Sequence, residues 1–331
     1  MKLAMIGSYG HTSIVLKSSA LRDVELAAVA RYGPQDKLPF VGKSKVTPAS
    51  TPVFDDYRKM LDEVRPEIVS VCMPLHRNAE AAIVAAQHGC HILSEKPLAT
   101  TLEDLEALRL AVEKAGVRIC AMFQMRGQPV FQAVRKIVAE GKIGKPILAF
   151  GQKSYPFGQR DEFFRRRETY GGTIPWVAIH ALEFISYCTG KDYAKVAAMH
   201  SNESLAGCEA EDNGGLLLEF AGGGHAVISF DYLRPMAEGI KRRHGDDRLR
   251  IAGTAGIVEV VEEGTRVVLM TPVDVQDVPL PPGRDLFAEF LASIRDGQSQ
   301  KCLVTPEESF RITEVALKAR AAADSGAAIK L

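Results

Sequence analysis

The residues best suited to chemistry are Glu95-Lys96-Pro97, which close a short apolar run, Cys90 to Ser94. Lysine and glutamate do not stand at the exit of a buried strand without partners, because an unpaired buried charge is costly. Pro97 fixes the local backbone. Lys96 then becomes a rigidly aimed ammonium at the carboxyl edge of a sheet, where open α/β sheets bind ligands. A lysine that is desolvated or set beside another positive charge can act as a base near neutral pH. The plainer alternative is a Glu-Lys pair that closes a turn.

Ile6-Gly7-Ser8-Tyr9-Gly10-His11 sits between an apolar run and an amphipathic stretch. A dinucleotide fingerprint would place glycine at positions 7, 9 and 12. Gly7 matches and Gly10 is displaced by one residue. A tight turn followed by backbone N–H groups facing a pyrophosphate is still available, which makes Gly7, Ser8, Tyr9, Gly10 and His11 the expected cofactor-binding turn. The next strand ends in Ala30-Arg31-Tyr32. An acidic residue there would bind a free ribose 2′-hydroxyl. Arg31 instead suits a 2′-phosphate, with Tyr32 available to stack on adenine, so the expectation leans to NADP over NAD. A solvated arginine is the alternative.

Further along, Gly171-Gly172-Thr173 leads into a helical stretch with Trp176, His180 and Glu183. Histidine titrates near neutrality, and Glu183 at i+3 shares its helix face. Each has a plainer reading: a half-buried helix histidine, a helix-surface or salt-bridged acid, a core tryptophan. The charged, aromatic segment Arg160 to Tyr170 offers arginines to a polar substrate or a neighbouring subunit, and its default is a solvated loop. Lys241-Arg242-Arg243-His244 has the same default.

These residues need a scaffold, and its rhythm is legible. Strands are expected at Leu3–Ile6, Asp23–Ala30, Glu67–Met73, His91–Ser94 and Val117–Phe123. Helices are expected at His11–Leu21, Asp55–Glu63, Ala79–Gln87 and Leu102–Lys114. That alternation indicates a parallel, doubly wound Rossmann-type sheet. After Phe123 and a helix at Val130–Glu140, strand-like runs dominate: Ile147–Lys153, Val196–His200, Gly214–Phe220, Ala226–Tyr232, Leu249–Ala252, Ile257–Val261 and Arg266–Met270. One helix, Pro175–Cys188, interrupts them, and two more close the chain at Asp285–Asp296 and Pro306–Ser325. The expected architecture is α/β. It comprises an NAD(P)-binding Rossmann domain over 1–123 and a substrate-binding and oligomerisation α+β domain over 124–331. The second has a large, mostly antiparallel sheet and a last helix able to fold back on the first domain.

Composition narrows the function. Hydrophobic residues make up 46% and charged residues 25% of the chain, and Lys+Arg and Asp+Glu both number 41. A neutral chain gives no electrostatic footprint for nucleic acid or an anionic membrane, and it favours self-association. No run approaches the roughly 20 apolar residues of a membrane span. The six cysteines show neither CxxC nor metal-ligand spacing, which points to a reducing cytoplasm and no metal site.

At this point the sequence resembles the Gfo/Idh/MocA oxidoreductases over nearly its whole length. Ile92 to Ala99 matches the family signature around its catalytic lysine. Val71-Cys72-Met73-Pro74 fits the strand whose proline lines the nicotinamide pocket, with Leu75 and His76 beside it. Phe123-Gln124-Met125-Arg126 with Pro129 is similar to the family's N-Y-R-x-x-P segment. Gly171-Gly172-Thr173 followed by His180 resembles the turn and helix that carry its catalytic histidine. Leu249 to Gly256 resembles a late strand and G-T-x-G turn. The resemblance implies hydride transfer between a nicotinamide and a sugar, cyclitol or related compound. It implies Lys96 and His180 as proton-transfer residues. Gly7 to His11, Arg31, Pro74, Leu75, His76, Glu95, Lys96 and Gln124 would contact the cofactor. Lys96, Arg126, Trp176 and His180 would contact the substrate. A homodimer or tetramer through the second domain's sheet is also implied. The departures from the family pattern are Trp176 in place of an aspartate, Leu75 in place of a frequent asparagine, and Glu183 in place of an aspartate. They leave open a non-catalytic dinucleotide sensor, or a hydrolase or lyase using bound NAD.

Overall fold

The computed structural model describes residues 1–235, 245–297 and 302–331. The basic run Lys241-Arg242-Arg243-His244 lies outside them. The chain divides into two compact units: Met1–Gln124 with Asp285–Thr313, and Met125–Arg284 with Glu314–Leu331. Residues Asp285–Thr313, expected in the second domain, therefore count with the first.

In the first unit the elements run β1 (Lys2–Ile6), α1 (Ser13–Leu16), β2 (Glu25–Ala30), β3 (Val53–Phe54), α2 (Tyr57–Val64), β4 (Ile68–Val71), α3 (Asn78–Gln87), β5 (His91–Ser94), α4 (Leu102–Ala115) and β6 (Ile119–Ala121). The sheet order is β3-β2-β1-β4-β5-β6, with every pair parallel. All four residues of β4 are buried, which is why the run reads as continuously apolar. The strand order reverses between β1 and β4. Open α/β sheets bind ligands at such a point, outside the carboxyl ends of the strands. Local chemistry sets the helix ends. Thr101 accepts from the Asp104 N–H at the start of α4, and Gly116 closes that helix in the left-handed conformation.

The first helix differs from expectation. The stretch His11–Leu21 is not one helix: α1 has four residues, and a separate 3₁₀ turn covers Ser19–Asp23. The Ser18 hydroxyl accepts from the Ala20 N–H and restarts the chain there, a local side-chain bond that competes with helix continuation.

The chain continues with α5 (Pro129–Ala139), β7 (Pro146–Ser154), α6 (Arg167–Tyr170), a π-helical turn (Ile174–Ala178) and α7 (Ile179–Thr189). Then come β8 (Tyr193–Ser201), β9 (Asn213–Phe220), β10 (His225–Asp231), β11 (Asp246–Gly253), β12 (Ile257–Val261), β13 (Arg266–Met270) and β14 (Val275–Asp277). The chain closes with α8 (Leu286–Asp296), α9 (Pro306–Ser325) and β15 (Ile329–Lys330). The second sheet has the order β14-β13-β12-β11-β7-β10-β9-β8-β15 and is antiparallel except where β7 meets β10. Helices α5 and α7 lie together, their Phe131 and Phe184 rings stacked at 4.7 Å. The alternating strands bury one set of side chains and leave another in solvent: Leu148, Phe150, Met199, Leu217 and Val227 are exposed, Met199 by 78%. Val227 stands in register with both Phe150 and Leu217, so these residues form one continuous apolar face. All six cysteines are free thiols. No described helix is long and apolar enough to cross a membrane.

Candidate functional site

The first unit assembles its site at the strand-order reversal. Gly7 and Gly10 both have positive φ, 78° and 77°. A Cβ on Gly7 would run into the Cys72 carbonyl oxygen, and one on Gly10 into the Glu95 carboxylate. Both positions therefore require glycine. The turn is stitched to its neighbours by Gly7 N–H to Ala30 O at 2.8 Å and Tyr9 N–H to Cys72 O at 2.9 Å. This close, backbone-lined cradle fits a dinucleotide pyrophosphate, although the short α1 contributes little of a helix dipole to it.

Glu95 holds the cradle from below. It is fully buried. Its carboxylate accepts from the His11 backbone N–H at 2.5 Å, from His11 Nδ1 at 2.9 Å and from the Lys96 backbone N–H at 2.9 Å. Burial pushes this carboxyl up. The His11 charge and hydrogen bonds, with the Lys96 ammonium, outweigh burial and hold it below the usual carboxylate range. Glu95 thus supports the glycine turn.

Lys96 follows with its side chain wholly buried, and the Lys96–Pro97 bond is cis. Asn78, at the start of α3, links this turn to the loop after β4. Its Oδ1 accepts from the Met73 N–H at 3.2 Å, and its Nδ2 donates to the Pro97 carbonyl at 3.3 Å. Pro74 opens that loop and Leu75–Arg77 form a 3₁₀ turn, with Leu75 buried and His76 half-buried. Sequence reading missed Asn78. Its one signal was an asparagine beginning a helix between a proline turn and an alanine run.

At the end of β2, Arg31 is neither a solvated arginine nor an open one. Its guanidinium donates to the Asp36 carbonyl and lies 3.2 Å from Asp55, with 31% of the side chain exposed. Asp36 was missed in the irregular stretch after β2. It is buried, and its carboxylate accepts from Ser8 Oγ at 2.5 Å, from the Tyr32 N–H at 3.1 Å and from the Leu38 N–H at 3.0 Å. It fixes the loop after β2 to the glycine turn.

The second unit carries the remaining residues. His180 lies in the first turn of α7 and is 4% exposed. The expected single helix Pro175–Cys188 is broken into a π-helical turn and α7, and Trp176 sits in that turn. Such widened turns recur at functional sites. Trp176 is 5% exposed, with the edge of its ring against Phe164 at 5.7 Å. Glu183 is not on the helix surface: it is fully buried and pairs with Arg126, itself 2% exposed and stacked 4.9 Å over the Tyr187 ring. Gln132 Nε2 donates to the Arg126 carbonyl and to Tyr187 Oη at 2.7 Å. Arg126 thus anchors the helix that carries His180. Gln124 opens the 3₁₀ turn Gln124–Gly127 that leads to it.

Arg160 opens a segment in which Asp161, Glu162, Arg165, Arg166 and Glu168 are exposed and Phe164 and Tyr170 are buried. Its guanidinium lies within 6 Å of the Tyr155, Phe157, Phe164 and Tyr232 rings. Tyr232 and Tyr170 share a hydroxyl hydrogen bond of 2.6 Å. Burial pushes Tyr155 up to about 12 and Tyr170 and Tyr232 well above the usual tyrosine value, so all three stay neutral hydroxyls. No group of His, Cys, Asp and Glu among the described residues could hold a metal ion.

Two family models match this chain: an oxidoreductase family with an NAD-binding Rossmann fold over residues 1–123, and the GFO/IDH/MocA C-terminal domain over residues 131–259. A solved Thermotoga maritima structure, provisionally described as an oxidoreductase, is 38% identical with a TM-score of 0.92 and covers 100% of both chains. The 1,5-anhydro-D-fructose reductase of Ensifer adhaerens is 32% identical over 146 residues, 44% of this chain and 43% of its own. The myo-inositol 2-dehydrogenase of Thermotoga maritima is 25% identical over 206 residues, 61% of this chain and 59% of its own. The aligned stretch thus spans less than two thirds of these curated relatives.

Proposed function

The chain belongs to the GFO/IDH/MocA family of NAD-binding oxidoreductases, and we propose that it transfers a hydride between a nicotinamide cofactor and a CH–OH group of a sugar, cyclitol or related compound. The observation that carries the reading is the Glu95-Lys96-Pro97 turn, built beneath a glycine cradle at the strand-order reversal. When bound, the nicotinamide supplies the hydride acceptor or donor. This chain's residues do the rest. The Gly7–His11 turn holds the pyrophosphate, with the Ser8 and Gly10 N–H groups facing it while those of Gly7, Tyr9 and His11 tie the turn to Ala30, Cys72 and Glu95; Pro74, Leu75 and His76 border the nicotinamide, and Gln124 adds a polar contact to it.

Lys96 takes the hydroxyl proton during oxidation and returns it during reduction, and His180 is its partner in proton transfer. Complete burial keeps the Lys96 ammonium from exchanging freely with solvent. Trp176 stands where relatives often carry an aspartate and serves as an apolar wall against a sugar ring.

Arg31 at the end of β2 favours NADP over NAD, and its pairing to Asp55 can be exchanged for a 2′-phosphate because both side chains reach solvent. A homodimer or tetramer forms through the apolar face of the second sheet, whose exposed Phe150, Met199 and Leu217 support burial against a second copy. Six free thiols suit a reducing cytoplasm. The test is a fluorescence titration with NADH and NADPH, followed by assay of NAD⁺ and NADP⁺ reduction against a panel of sugars and cyclitols. Binding with turnover of at least one polyol is expected. Absence of binding by either cofactor contradicts the reading.

A further inference from the structure

Two arginines, not one, are tied to the loop after β2. In a doubly wound fold the adenosine ribose lies at the end of the second strand, and the residues there meet either a free 2′-hydroxyl or a 2′-phosphate. Arg31 stands at that end and donates to the Asp36 carbonyl. Arg77 comes from the other side of the glycine turn. It closes the 3₁₀ turn Leu75–Arg77 after β4, and β2 and β4 flank β1 in the sheet. Its Nη1 donates to the Tyr32 carbonyl at 2.7 Å, across 45 residues of sequence. Tyr32 directly follows Arg31. The bond therefore brings a second guanidinium to the strand end where the 2′ position is read.

Arg77 can turn to a phosphate at small cost. The Tyr32 bond engages one of its five N–H donors. Its Nε is 3.7 Å from Glu80, beyond hydrogen-bond reach, and its side chain is 35% exposed. Glu80 does not depend on it. Arg58 donates to Glu80 at 2.7 Å and the Tyr57 hydroxyl donates at 3.1 Å, and the Arg58 bond is the main cause holding this carboxyl below its usual range. Arg31 is similarly placed: its partner Asp55 is 92% exposed, so water takes over that carboxylate when the guanidinium moves. The Asp36 carboxylate is buried and already accepts from Ser8, Tyr32 and Leu38, so it competes for neither guanidinium.

We propose that Arg77 is a specificity-determining residue for NADP, closing on the 2′-phosphate from the β4 side while Arg31 closes on it from the β2 side. The proposal rests on the dinucleotide-binding reading of this unit and on its preference for NADP. Two guanidiniums on one phosphate add charge-assisted hydrogen bonds that NADH cannot make.

The test measures Kd for NADPH and for NADH by fluorescence titration at about pH 8, where a phosphate monoester is a dianion. The wild type is compared with Arg77→Ala and with Arg77→Gln, which keeps an amide donor for the Tyr32 carbonyl and lacks the charge. Each variant is expected to weaken NADPH binding about tenfold or more and NADH binding by less than about twofold, the loss of one charge-assisted interaction made only with the 2′-phosphate. Arg77→Gln alone decides the matter should Arg77→Ala fail to fold. A wild type that binds NADH as tightly as NADPH overturns the proposal and leaves the dinucleotide site standing. Equal losses for both cofactors in Arg77→Gln do the same, because Arg77 would then only hold the loop in place. NADPH binding within about twofold of wild type in Arg77→Gln also overturns it. If the wild type binds neither cofactor, the proposal and the dinucleotide reading fall together.

Discussion

Replacing Glu183 by Gln tests the anchor of the helix that carries His180. The substitution keeps the shape of the side chain and removes its charge. Arg126 then remains 2% exposed with its ion-pair partner gone, and Glu183 sits at a position with no solvent access, so water cannot replace the lost charge. Breaking a buried pair from one side costs about 3–5 kcal/mol. Replacing both partners with apolar residues of similar volume, Arg126→Met with Glu183→Leu, leaves no orphaned charge. That double variant is expected within about 1–2 kcal/mol of wild type. With Arg126→Met and Glu183→Leu each costing about 3–5 kcal/mol alone, the double variant falls short of their sum by about 4 kcal/mol or more, well above the few tenths found for independent sites. Trp176, the only tryptophan of the chain, is buried in the same unit as the pair and reports its unfolding by fluorescence in urea. Single variants that each cost less than about 1 kcal/mol and add in the double variant would refute the reasoning, because solvent would then already be screening the pair.

Three further outcomes follow from the first unit. Gly7→Ala places a Cβ against the Cys72 carbonyl at a φ of 78°; a loss of about 2 kcal/mol or more in urea unfolding is expected, with loss of NADH binding. Asn78→Leu removes the link between the loops after β4 and β5 and leaves the Met73 N–H without its acceptor; a cost of about 1–3 kcal/mol is expected in thermal or urea unfolding. Glu95 has a folded-state pKa below its ordinary value, so its contribution to stability is fully present above the usual glutamate range near 4.3 and is lost as pH falls through the lower folded value. Urea midpoints measured from neutral into acid should therefore fall more steeply for the wild type than for Glu95→Gln.

Much of this architecture is legible in the residues. β5, β12, β13 and α9 lie where the sequence places them, because each is bounded by a glycine, a proline or a capping residue that fixes its end. Patterning failed where side chains compete with the backbone. Ser18 ends what periodicity reads as one long first helix. The apolar, proline-containing stretch Ile174–Ala178 satisfies a helical pattern while winding as a π turn. Site residues were legible by type more than by partner. Glu95, Lys96 and His11 could be named from the sequence, but the use of Glu95 as a strut beneath the turn needed the 84-residue separation to be closed in space. Arg126 and Glu183, separated by 57 residues, found each other in the core in the same way, and neither position signals it locally. Asp36 and Asn78 were hidden because a polar residue in a loop and one at a helix start are ordinary in a sequence.

The central claim is that Lys96 moves the substrate proton in an NAD(P)-dependent oxidation. The most direct measurement compares Lys96→Ala with the wild type in two assays: dinucleotide affinity, and the rate of nicotinamide reduction with whichever sugar or cyclitol proves to be turned over. The account predicts an affinity within about threefold of wild type and a turnover reduced by about 10²–10⁴-fold, the range for loss of a positioned acid–base group. Full activity in Lys96→Ala would contradict it.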